Sequence, residues 1–90
     1  MELIINTKKI SKALTGYRTE LLKAYTTTTE EGLSAVNLVL YTTATHPDIL
    51  RDMLIDCIEN QYNYCAINRA SDEIIIYTFS SIKGYSYKIK

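Results

Sequence analysis

The sequence predicts an α+β fold: one small domain in which two amphipathic helices pack on a four- or five-stranded antiparallel or mixed sheet. Three observations predict it. Residues 47–62 put Leu50, Met53, Leu54, Cys57 and Ile58 on one helical face and Asp48, Asp52, Asp56 and Glu59 on the other. A second apolar stripe at helical spacing, Ile10, Ala13, Leu14, Tyr17, Leu21 and Ala24, runs through residues 8–25. After residue 63 the chain reads as short alternating segments, the signature of half-buried antiparallel strands. With 90 residues, 47% of them apolar, residues 1–90 suit a single domain that can fold without staples. Three glycines and one proline leave little room for linkers, so order is expected nearly end to end.

In chain order, Glu2–Ile5 is too short an apolar run for a helix and is assigned as a strand, with Asn6 or Thr7 able to cap the helix that follows. The helix over 8–25 carries Lys8, Lys9, Lys12 and Lys23 on its back, with Gly16 on the polar side. Thr26–Gly32 lacks periodicity and is assigned as a loop. Residues 33–43 read two ways. Val36, Leu38 and Leu40 alternate as in a buried strand, whereas Leu33, Val36, Leu40 and Ala44 sit at helical spacing. Strand is favoured for its β-branched and aromatic content; the helical choice would give three helices and a C-terminal β-hairpin, a winged-helix-like order. His46 stands before Pro47, which suits a first helical turn, and Asp48 complements the positive end of the helix dipole. Strands at 64–68 and 73–79 are joined through the R-A-S-D segment as a hairpin, and 80–84 connects to a last strand. There Tyr85, Tyr87 and Ile89 alternate with Ser86, Lys88 and Lys90.

Composition and motifs exclude more than they identify. Net charge is zero, yet the charges are segregated along the chain. Lys8, Lys9, Lys12, Arg18 and Lys23 against Glu2 and Glu20 leave residues 1–29 at +3, residues 30–79 stand at −6, and Lys83, Lys88 and Lys90 return +3. The opening residues lack a secretory pattern and no apolar run approaches a membrane span, so a cytoplasmic, membrane-free protein is expected. Cys57 and Cys65 are expected as buried thiols in a reducing compartment, with one disulfide as the alternative. One histidine and no clustered cysteines argue against zinc. No phosphate loop, nucleophile–base set or cofactor motif is present. Neither an enzyme nor any cofactor or metal is therefore expected.

What remains is surface. Asp48, Asp52, Asp56 and Glu59 form an acidic row with Ile55 and Tyr62 at its margin, the mix of charge and apolar anchors found at protein interfaces. The expected function is a non-catalytic binding protein that occludes or sequesters a macromolecular partner, in the manner of a small phage or mobile-element inhibitor of a host protein. Self-association into a homodimer is compatible with the opposed charges and with an edge strand. The alternative is a small nucleic-acid-binding regulator that uses Lys8, Lys12 and Lys23 with Lys83, Tyr85, Tyr87 and Lys88. The segment K-G-Y-S-Y-K-I at 83–89 is similar to part of the RNP1 signature of RNA-recognition motifs. That resemblance implies base stacking on Tyr85 and Tyr87. Ser86, Lys88 and Lys90 depart from the signature, and the motif stands on the last strand rather than a central one.

Overall fold

The computed structural model describes residues 1–43, 47–58, 64–69 and 74–90, with Pro47 and residues 64–69 described by backbone alone. Among these residues the chain is a small α+β fold of two helices and six strands. Four strands, β2 (Thr19–Thr28), β3 (Ser34–Thr42), β4 (Tyr64–Arg69) and β5 (Ile74–Ser80), form an antiparallel sheet in the order β2-β3-β5-β4. The remaining two, β1 (Glu2–Ile5) and β6 (Ser86–Ile89), form a separate parallel pair. Helix α1 spans Thr7–Thr15 and α2 spans Pro47–Cys57.

Register explains which face is filled. Leu38 stands opposite Tyr77, Val36 opposite Phe79 and Leu40 opposite Ile75, so these six side chains share one side of the sheet. All are buried, and they form one cluster with Leu3 and Ile5 of β1, Ile10 and Leu14 of α1, Leu50 and Leu54 of α2, and Tyr87 of β6. Both helices and the parallel pair therefore lie on the same side. The other side presents Glu20, Lys23 and Tyr25 of β2, Val39 and Tyr41 of β3, and Ile74 and Ile76 of β5. Asn37 also lies on this outer side, where its amide donates to Thr27 Oγ1 at 3.0 Å and accepts from Thr78 Oγ1 at 2.8 Å. This polar tie across three strands satisfies a buried amide that would otherwise cost about 1–3 kcal/mol.

The strand at 33–43 is thus correct and the winged-helix-like alternative is overturned. Each of its alternating apolar residues finds a cross-strand partner, which a helix could not supply. The helix expected over 8–25 is corrected: it stops at Thr15, and residues 19–28 are strand. Asn6 caps the start by accepting from the Lys9 amide at 3.1 Å, and Gly16 is the C-cap. Arg18 then turns the chain with φ +53°. Leu21 and Ala24 suit the core face in either conformation, but pairing with β3 satisfies the backbone of the β-branched Thr26–Thr28 run, which disfavours a helix. The expected loop consequently shrinks to the turn around Thr29–Leu33. There Gly32 takes φ +79° and the Leu33 amide donates to Thr29 Oγ1 at 3.0 Å.

The β4–β5 antiparallel pairing agrees with the expected hairpin, and its connecting turn lies outside the described residues, as does His46. No described helix is long and apolar enough to cross a membrane. Cys57 is a free, half-buried thiol.

Arg18 yields a stability prediction. A non-glycine residue in the left-handed region costs about 1–2 kcal/mol, and glycine would regain that less roughly 0.4–1 kcal/mol of unfolded-chain entropy. Arg18→Gly should raise stability by about 0.5–1 kcal/mol on balance, read from urea unfolding. A drop in stability would contradict the assigned turn.

Candidate partner-binding surface

Helix α2 packs Leu50, Leu54 and, beyond its last turn, Ile58 into the core, with Met53 and Cys57 partly covered. Its back is consequently turned to solvent. Asp48, Asp52 and Asp56 are all exposed and, being four residues apart, rise along the helix as a single row. Ile55 is 44% exposed and Ile49 is 49% exposed. At 100° per residue these two side chains stand about 60° to either side of Asp52. The acidic row is therefore bracketed by an isoleucine on each flank. Arg51 lies beside Asp52 at 3.7 Å, a solvent-facing pair that contributes little to stability. Glu59 and Tyr62, the other two residues expected on this surface, lie outside the described residues.

Ile49 was missed in reading the sequence. The same helical geometry that placed Ile55 among the acids also places Ile49 there, on the opposite flank.

Burial raises the Cys57 thiol, with Lys9 pulling the other way and Asp56 adding to the rise, so the thiol stays protonated and unactivated. Its sulfur instead contacts Met53 Sδ at 3.6 Å. Among the described residues no group of three or more His, Cys, Asp or Glu is arranged to hold a metal. An open depression of about 710 Å³ lies between the β2–β3 turn and the β5–β6 connection, lined by Thr29, Glu31, Leu33, Ser81, Ile82 and Lys83 among others. Ser81 is tied into the framework there, donating to Ser34 O at 3.1 Å and to Tyr85 O at 3.0 Å.

The residues named for nucleic-acid binding are not brought together. Lys8 and Lys12 lie on α1, on the filled side of the sheet, whereas Lys23 lies on β2 and points to the outer side, its Nζ 4.9 Å from the Tyr25 ring centre. Lys83 borders the depression, and Lys88 approaches Glu2 at 3.9 Å. Tyr87, expected to stack a base, is 7% exposed and packs in the core, and Tyr85 is packed against it. The stacking implied by the RNP1 resemblance is corrected on this point: strand alternation sends Tyr85, Tyr87 and Ile89 inward and leaves the lysines outside.

Compared with protein-family models, curated proteins and solved structures, the chain matches none of them.

Burial raises the Tyr87 hydroxyl well above its ordinary value. A group whose folded-state value is raised contributes stability that is complete below the unfolded value, about 10 for tyrosine, and is lost as pH climbs beyond it. Tyr87→Phe should therefore flatten the alkaline decline in thermal midpoint above that pH. An identical decline in both proteins would contradict the buried hydroxyl.

Proposed function

We propose that this chain is a non-catalytic binding protein that occludes or sequesters a macromolecular partner, and that the partner presents a basic surface with apolar recesses. The carrying observation is the bracketed row on α2: Asp48, Asp52 and Asp56 with exposed Ile49 and Ile55 at its flanks. Carboxylates on an exposed row raise the rate of encounter with a cationic partner and select against acidic ones. The two isoleucines supply apolar area that charge alone does not, and each contributes on the order of 1–2 kcal/mol if fully covered. The two isoleucines are six residues and about 120° apart, so they would engage a partner on both sides of the acidic row rather than as a single apolar stripe.

A small phage or mobile-element inhibitor of a host protein is the class this reading favours, because such a protein acts by covering a surface and requires no catalytic set. Nucleic acid is a weaker fit. Its candidate lysines are divided between two sides of the sheet, and the acidic row would repel phosphates.

The test is affinity capture from a lysate of the source cells, followed by mass spectrometry and by a direct binding measurement with the captured protein. Asp52→Lys combined with Asp56→Lys should abolish binding while the circular dichroism spectrum stays unchanged. Ile55→Ala should weaken binding about threefold to thirtyfold, the loss of one covered aliphatic side chain. Binding that survives the double lysine change would transfer the function to another surface.

A further inference from the structure

Among the described residues no helix or strand packs on the outer face of the four-stranded sheet, although Ala35 and Asn37 at one end of it are buried. Both helices and the parallel pair are on the opposite side, yet this face is not polar throughout. Val39 pairs with Ile76 and Tyr41 with Ile74, giving two adjacent apolar rows across β3 and β5. Those same two rows continue onto β2, where Glu20 stands opposite Tyr41 and Lys23 opposite Val39. One row thus ends in a carboxylate and its neighbour in an ammonium.

We propose that this face is the contact between two copies of the chain, stacked face to face about a twofold axis that runs across the strands between the two rows. Such an axis keeps each strand over its own counterpart and exchanges the rows. Glu20 then faces the second copy's Lys23 at two symmetric places, Tyr41 covers Val39, and Ile74 covers Ile76. A row pattern of acid beside base with apolar residues alongside is self-complementary under that operation, as an isologous interface requires. Sheets stack in this way with strands about 30° from parallel and roughly 10 Å between layers.

The overlap sets a weak pair. Under this axis the two exchanged rows lie over one another, and with same-face rows about 7 Å apart and four strands about 4.8 Å apart they make a patch of roughly 14 by 19 Å. Two copies would cover on the order of 500 Å², below the size of a stable interface, so association is expected only at high protein concentration. The bulge at Leu22, which shifts register between Leu21 and Lys23, bends the free edge of β2 and works against edge-to-edge pairing. Face-to-face stacking is unaffected by it, and it leaves α2 accessible for another partner.

Sedimentation equilibrium from low micromolar to millimolar protein tests the proposal. A monomer–dimer equilibrium is expected. Val39→Lys should weaken it by more than about tenfold, because a charge would be buried without a partner. Glu20→Lys alone should weaken it about twofold to tenfold through two lost exposed pairs, and adding Lys23→Glu should restore it. The charge exchange involves only exposed residues, so it remains informative if Val39→Lys fails to fold. A monomer at every concentration, a dimer indifferent to Val39→Lys, or a charge exchange that does not restore association would each overturn it.

Discussion

Strand β3 is the constraint on which the remaining structure depends. It is hydrogen-bonded along both edges, to β2 and to β5, and its Val36, Leu38 and Leu40 are completely buried. Between them Asn37 is tied on the other side to Thr27 and Thr78. A slip of one residue would put that amide into the core and turn the apolar trio outward, so the register is strongly specified. Once β3 is set, one face of the sheet has to be filled. The helices and the β1–β6 pair fill it, and among the described residues the back of α2 and the Val39–Tyr41 end of the outer sheet face have no element packed on them.

Local pattern was sufficient wherever the local and tertiary preferences agreed. Helix α2, the strands on either side of the R-A-S-D segment and the inward row of Tyr85, Tyr87 and Ile89 could all be read from periodicity. It failed at residues 19–28, where Leu21 and Ala24 satisfy helical and strand placement equally well. What decided the matter was a partner strand at 34–42, together with the left-handed turn at Arg18 that delivers the chain to it. Pairing of β1 with β6 was similarly illegible: it joins Leu3 to Tyr87 across almost the whole chain, and no nearby signal encodes it.

The candidate surfaces were legible to different degrees for the same reason. Asp48, Asp52, Asp56 and Ile55 follow from a helical wheel, and the solvent exposure of that arc follows once the helix is packed by Leu50 and Leu54. The outer sheet face required registers. Glu20 and Lys23 had no visible relation to Tyr41 and Val39 until β2 was laid beside β3, and Lys23 had been grouped with the lysines of a helix to which it does not belong.

The central claim is that the fold leaves two separate surfaces, one covered by self-association and one kept free for a different partner. Broadening of isoleucine methyl resonances by a soluble paramagnetic probe, recorded across protein concentration, tests it most directly. Ile49 and Ile55 should broaden at every concentration, whereas Ile76 should broaden in dilute protein and become protected as concentration rises. An Ile76 methyl that remains accessible throughout, or Ile49 and Ile55 methyls sheltered in the isolated protein, would contradict the account.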